Sequence, residues 1–364
     1  MTITYKFALL SVFAWSLSSC HQISKWKAQC GNTKEQIKLG MQYAEGDDVD
    51  QDLAEAAKWY QRAADSGDAD GLYLLGKCYS DGKGVPNDKS KALELFIKAA
   101  QSGHQDAMYE CGFAYETGNG TSLNISESVK WYQKAAESGN PQALFKMGYL
   151  YYKGDGIGMD AKKAVEYFSK ASKAGITEAL YYLGVCYADG VGTGKNQRKA
   201  IELFTKAAKN GEAVAQNKLG ECYENGLGVT VNPRQAVEWY KKAAKQDFME
   251  AVYNLAACYY YGQGIPQDIN KASTLFKKAA EAGIVAAEFY LGVCYYQGEG
   301  FKKNEKEAMK WLRKAADDGD IDAIEFLRAL NFYQKQLDEW NDGFEEVEVM
   351  ETTNEIETDN EIHK

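Results

Sequence analysis

The sequence predicts an all-α solenoid of eight helix–turn–helix repeats, each 36 residues long, and three observations carry that prediction. Tyr43, Tyr79, Tyr115, Tyr151, Tyr187, Tyr223, Tyr259 and Tyr295 stand 36 residues apart. A small residue precedes each by three positions: Gly40, Gly76, Gly112, Gly148, Gly184, Gly220, Ala256 and Gly292. A glycine also follows each by three positions, from Gly46 to Gly298. The eight units cover Thr33 to Asp320 without an insertion. No such unit can bury its apolar face alone, so the units must stack.

The N-terminus is built differently. Phe7 to Leu17 is a mostly apolar run of eleven residues behind Lys6. It is too short to span a bilayer, which needs ~20 residues, but it suits the apolar core of a signal peptide. Leu17-Ser18-Ser19-Cys20 follows and resembles the lipobox of bacterial lipoproteins. That resemblance implies cleavage before Cys20 and acylation of its thiol. Multiple acyl chains would hold the protein on a membrane far more firmly than one. Residues 1–19 are therefore expected to be a signal peptide and 20–32 a linker after the lipid anchor. The expected location is the bacterial cell envelope, as an exported, membrane-anchored lipoprotein. The alternative is a secreted or periplasmic protein.

Within a repeat, the unit Ala69–His104 shows the reading. Helix A runs from about Ala69 to Ser80, the loop Asp81-Gly82-Lys83-Gly84-Val85-Pro86-Asn87 follows, and Asp88 starts helix B. The matching starts are Asp52, Asp88, Asn124, Asp160, Asn196, Asn232, Asp268 and Asn304. All are Asp or Asn, whose side-chain oxygen accepts an orphaned backbone N–H at a helix N-cap. Pro233 follows one of these caps directly, where a helix tolerates proline best. Helix B ends in Lys-Ala-Ala-x-x-Gly, as in Lys98-Ala99-Ala100 to Gly103. The lysine favours the negative end of the helix dipole and the glycine a left-handed C′ position. A mid-helix glycine costs ~1 kcal/mol relative to alanine, so seven in register imply a close helix crossing that offsets it. Residues 321–340 begin like another helix A and then turn polar, as a terminal cap would. From Asn341 to Lys364 nine acids face one lysine with no helical period, the pattern of a disordered acidic tail.

These repeats resemble the Sel-one-like repeat family, a relative of the tetratricopeptide repeats. The family motif stands nearly whole in Ala179–Gly211 and Ala287–Gly319, and the resemblance spans 288 of 364 residues. It implies a right-handed α/α superhelix whose A helices line a concave face, and work as a scaffold or adaptor. The first unit departs most, with Glu35 at the alanine position and Asp48 at the second loop glycine, and is expected to be frayed or atypical.

Composition narrows the function. The net charge is −10, of which −8 lies in the stretch from Asn341 to Lys364, so the remainder is close to neutral. That argues against nucleic acid as the main partner. Three histidines, His21, His104 and His363, leave little for metal or acid–base chemistry. Ser80-Asp81-Gly82-Lys83 fits S-x-x-K but lacks the S-D-N and K-T-G partners of penicillin-recognising enzymes. The recurring Gly-x-Gly, as in Gly154-Asp155-Gly156, follows no strand, so it reads as a tight turn and not a phosphate cradle. No catalytic residue, metal site or cofactor is expected. A cell-envelope enzyme, β-lactamase-like or directed at peptidoglycan, is the alternative to a scaffold.

Cys186, Cys222, Cys258 and Cys294 repeat at 36 residues, with Cys78 in the same slot and Ala114 and Leu150 elsewhere in it. Small, buried, reduced packing residues are expected. Equivalent positions of stacked units lie ~8–10 Å apart or more, beyond the ~7 Å Cα reach of a disulfide. Members of the resembling family staple units with two cysteines each; this chain has one at that slot.

The binding face follows by elimination. At 100° per residue the near-constant positions of helix A (Ala −5, Leu −1, Gly 0, Tyr +3) share one side. Positions −6, −2, +1 and +5 lie opposite and vary between units, with Lys38, Lys77, Glu110, Lys218 and Glu221 among them. Phe113, Lys146, Tyr149, Tyr182, Tyr261 and Tyr290 are the expected contacts of a protein or peptide partner, aromatics anchoring and charges selecting. Phe113, Lys146, Tyr149 and Tyr182 are expected to form one continuous patch off the packing side.

Overall fold

A computed structural model describes residues 22–333 and 336. The expected signal peptide, Cys20 and the acidic stretch from Asn341 lie outside those residues. All regular structure among the described residues is helical. The chain divides into two compact units after Asn196, between the two helices of the fifth repeat.

In the first unit α1 (22–29) precedes four hairpins. They pair α2 (Thr33–Glu45) with α3 (Leu53–Asp65), α4 (Ala69–Asp81) with α5 (Lys89–Gln101), α6 (Gln105–Thr117) with α7 (Ile125–Glu137), and α8 (Pro141–Lys153) with α9 (Ala161–Lys173). The unit ends on α10 (Thr177–Asp189). The second unit opens with α11 (Gln197–Lys209). It pairs α12 (Ala213–Asn225) with α13 (Pro233–Ala244), α14 (Met249–Tyr261) with α15 (Ile269–Glu281), and α16 (Val285–Gln297) with α17 (Glu305–Asp317). It ends on α18 (321–333). Within each unit, from α2 to α10 and from α11 to α17, each helix packs on its chain neighbours, the arrangement of a solenoid. Even-numbered helices are the A helices of the repeat and odd-numbered ones the B helices.

The caps work as the sequence implies. Asp52, Asp88, Asn124, Asp160, Asn232, Asp268 and Asn304 each accept a backbone N–H from the first turn of the B helix they start. The repeating tyrosine has a backbone role as well. Its carbonyl accepts the N–H of the next B-helix cap in all eight repeats, from Asp52 to Tyr43 at 2.9 Å to Asn304 to Tyr295 at 2.9 Å. This bond closes the loop between the paired helices and fixes its length.

Glycine at position 0 lets a B-helix ring lie against the A-helix backbone. A Cβ on Gly112 would stand 2.6 Å from Tyr132 Cδ1, and one on Gly148 2.7 Å from Phe168 Cδ1. The second loop glycine serves stacking between repeats. Gly84, at φ 75°, lies so close to α3 that a Cβ would fall 1.9 Å from the Leu53 carbonyl oxygen.

The first repeat is atypical, but α2 is covered and not frayed. Residues 22–29, expected as linker, form α1. Ala28 is fully buried against Leu39 and Trp59, and Gln36 Nε2 donates to its carbonyl at 2.9 Å. Ala28 and Gly31 stand 36 residues before Ala64 and Gly67, so α1 is the last part of a B-type helix. Asp48 holds a left-handed φ of 61° where later repeats carry glycine.

Cys78, Cys186, Cys222, Cys258 and Cys294 are buried as expected, and Cys111 joins them; Cys30 is exposed. Burial pushes the thiols of Cys186 and Cys222 up to about 11 and those of Cys111, Cys258 and Cys294 up to about 12. An unfolded thiol ionises at about 8.5. Below that pH the thiols leave stability unchanged. As pH rises toward 11–12 the unfolded chain sheds these protons first, so stability falls. Alkylation should be fast at Cys30 and slow at the six buried cysteines, and the denaturant midpoint should drop between pH 8 and pH 10.5. Fast native labelling at Cys294 would contradict this burial.

Candidate protein-binding surface

Two buried B-helix rings meet the A-helix surface in the same way. Phe168 of α9 packs on Phe145, at position −3 of α8, with centroids 5.9 Å apart. It packs on Tyr152, at +4 of α8, at 6.2 Å. Tyr182, at −2 of α10, stacks on it at 5.4 Å and 18°. In the second unit Phe276 repeats the set with Tyr253 at 6.0 Å, Tyr260 at 5.9 Å and Tyr290 stacked at 4.8 Å and 9°. A core ring therefore carries the −3 and +4 residues of its own repeat and the −2 residue of the next.

In two repeats a tyrosine takes the core-ring place with a glutamate at +4, whereas Tyr60 of the first repeat has Ala44 there. Tyr132 donates its hydroxyl to Glu116 at 2.7 Å, and Tyr240 donates to Glu224 at 2.6 Å. Burial and the carboxylate both push these phenols up, burial first. The reason is polar satisfaction, because a half-buried hydroxyl needs an acceptor and a phenylalanine does not. In the first unit the −2 residue of the next repeat, Lys146, completes the set. Its Nζ lies 2.6 Å from Glu116 and 5.8 Å from the Tyr132 ring centroid.

The expected patch is placed as follows. Tyr149 and Tyr182 meet edge to face at 5.5 Å, both half-buried. Lys146 stands on the same face of α8 as Tyr149, one turn earlier. Phe113, 41% exposed, lines a cleft with Lys77, Glu110 and Phe96, where Lys77 pairs with Glu110 at 3.2 Å. In the second unit Tyr261, 53% exposed, shares a hydroxyl–hydroxyl hydrogen bond of 2.8 Å with Tyr290. The structure thus joins Tyr149 to Tyr182 and Tyr261 to Tyr290. It also gives Tyr182 and Tyr290 a packing contact, so position −2 is shared between the core and the surface. Sequence reasoning missed positions −3 and +4, which hold Tyr73, Tyr109, Phe145, Tyr253, Tyr152 and Tyr260. Their signal was the pairing, sixteen residues apart, of Glu with Tyr and of Tyr with Phe.

Among the described residues no group of three or more His, Cys, Asp or Glu side chains is placed to hold a metal ion. Among the same residues no helix is long and apolar enough to cross a membrane.

The Sel1 repeat family matches this chain eight times, at residues 36–68, 69–104, 105–140, 141–176, 177–212, 213–248, 250–284 and 285–320. No curated protein sequence matches it. Among solved structures the chain is similar to c5321, described as a protective antigen present in uropathogenic Escherichia coli strains displaying an SLR fold. Identity there is 33% over 86% of this chain and 67% of that one, with a TM-score of 0.77. It is also similar to a Sel1 repeat protein from Oxalobacter formigenes, at 30% identity over 85% of this chain and 89% of that one, TM-score 0.64. Sel1 repeat proteins are generally protein-interaction scaffolds, and the fold is typically non-enzymatic. With its eight repeats matched in register from residue 36 to residue 320, this chain belongs to the Sel1 repeat family.

Proposed function

We propose that this protein is an interaction scaffold that binds an extended protein segment across its A-helix face and is tethered to a membrane by lipid on Cys20. The observation that carries the reading is the Tyr149–Tyr182 contact beside Lys146. Two rings from successive repeats stand at the surface, already ordered by the packing beneath them. Ordered aromatics bind with little loss of rotamer freedom and are the residues most enriched at binding hot spots. Neighbouring A helices lie ~10 Å apart, so an extended segment at ~3.3 Å per residue meets a new repeat about every three residues. Phe113, Tyr261 and Tyr290 extend the same use to the other repeats.

The binding half of the proposal is tested on a peptide ligand selected against the full chain. Tyr149→Ala combined with Tyr182→Ala should weaken it by ~30-fold or more, which is ~2 kcal/mol. Tyr79→Ala, which removes a half-buried ring packed against the core, should lower stability and leave the affinity of the folded protein unchanged. Wild-type affinity in the double variant would remove the A-helix face as the binding surface.

The tether rests on the lipobox-like Leu17-Ser18-Ser19-Cys20. The similarity to a protective antigen supports a place in the cell envelope. Cys20→Ala should leave the chain unprocessed and release it from the membrane fraction. Unchanged fractionation and processing would end the lipoprotein reading.

A further inference from the structure

Three repeats separate two versions of one arrangement. In the first unit Tyr132 donates to Glu116, and Lys146 neutralises that carboxylate at 2.6 Å. One hundred and eight residues later Tyr240 donates to Glu224 in the same way, at 2.6 Å. The position matching Lys146 is Asn254, whose amide donates to Asn217 at 2.9 Å. Among the described residues no salt bridge reaches Glu224. The second unit therefore keeps the carboxylate and the ring and lacks the cation.

Its surroundings favour a cation from outside. Tyr253 stands one residue before Asn254 on α14; burial first, then Tyr261 and the carboxylates of Asp320, Asp322 and Glu224, push its phenol up. Glu299 accepts at 2.8 Å from Tyr260, which lies two turns further along α14. Lys218, the nearby lysine of α12, is engaged with Glu221 at 2.8 Å. At the equivalent tyrosine of the next repeat the chain supplies a cation itself, with Lys303 5.6 Å from the Tyr296 centroid and paired with Glu305. Rings with adjacent carboxylates hold ammonium and guanidinium groups well. The stretch from Asn341, with nine acids and one lysine, has the wrong sign to fill the place.

We infer that the A-helix face of the second unit takes a basic segment of a partner protein, whose lysine or arginine completes the Glu224–Tyr240 pair where Lys146 completes Glu116–Tyr132. This rests on the reading of the A-helix face as the binding surface and names the partner's chemistry.

The probe is a fluorescein-labelled nonapeptide alternating arginine and glycine, titrated against the full chain at 0.15 M salt by anisotropy. Glu224→Gln should weaken binding at least tenfold. Asn254→Lys, which supplies the cation internally, should weaken it as much, while Asn254→Gln keeps wild-type affinity. A control, Glu355→Gln with Glu357→Gln, removes two charges from the acidic stretch and should change nothing. Equal weakening in that control, or wild-type affinity in both Glu224→Gln and Asn254→Lys, overturns the inference. In that event, continued dependence of a selected ligand on Tyr149 and Tyr182 would leave the scaffold reading standing; loss of both would remove it as well.

Discussion

Replacing Phe168 by alanine should cost about 3–5 kcal/mol, the range for emptying a fully buried aromatic site. Phe168 has no exposed surface and holds Phe145, Tyr152 and Tyr182 around its ring. Its loss opens a cavity between α8, α9 and α10 and removes the support on which Tyr182 stacks. In a repeat array each element is stabilised by its neighbours, so the damage should be local first. Hydrogen exchange is the measurement. Protection should fall in residues 141–189 and hold in α14 to α17. A uniform loss over the whole chain would show that the repeats unfold as one block. The affinity of any ligand that uses Tyr182 should fall in the same variant.

Gly84→Ala should destabilise by about 3 kcal/mol or more, although it adds one methyl group in a surface loop. A left-handed backbone costs an L-residue about 1–2 kcal/mol, and overpacking adds about 1–3 kcal/mol. The added Cβ would meet the Leu53 carbonyl at 1.9 Å, a backbone atom that no side-chain rotation can move aside. Gly103→Ala separates the two costs. Gly103 is equally left-handed at φ 89°, with nothing within 4 Å of an added Cβ. It should lose the conformational cost alone, about 1–2 kcal/mol. Denaturant titration of the two variants gives the comparison, and equal losses would mean that the loop does not seat on α3.

These glycines show why the fold was legible in the sequence. A close approach, a left-handed turn and a helix cap each admit only a few residue types, so each leaves a mark every 36 residues. Tyr43 to Tyr295, Gly40 to Gly292 and the Asp or Asn caps are such marks. The surface was harder to read, because a side chain there answers to two neighbours at once. Tyr182 varies between repeats as a free position would, yet it stacks on Phe168. Tyr73 and Phe145 lie between the packing and open sides of their helices, where a 100° wheel assigns neither role. The missing signal was a pairwise one: Tyr132 and Tyr240 each have a glutamate sixteen residues earlier that accepts the hydroxyl, although Tyr60 has Ala44 in that place. Helix α1 was missed for another reason. A single partial B helix shows no period of its own, and Gly31 is legible only once the register of Gly67 and Gly103 is known.

On the proposed reading the A-helix face does the binding while the B helices hold it in place. Photo-crosslinking in the native host tests it most directly, with a benzophenone amino acid placed at Tyr149 in one strain and at Lys58 in another. Lys58 lies on the B helix α3 with 68% of its side chain exposed, so it is at least as open to capture as the half-buried Tyr149. A discrete adduct is expected from position 149 and none from position 58. The same adduct from position 58, with none from position 149, would contradict it.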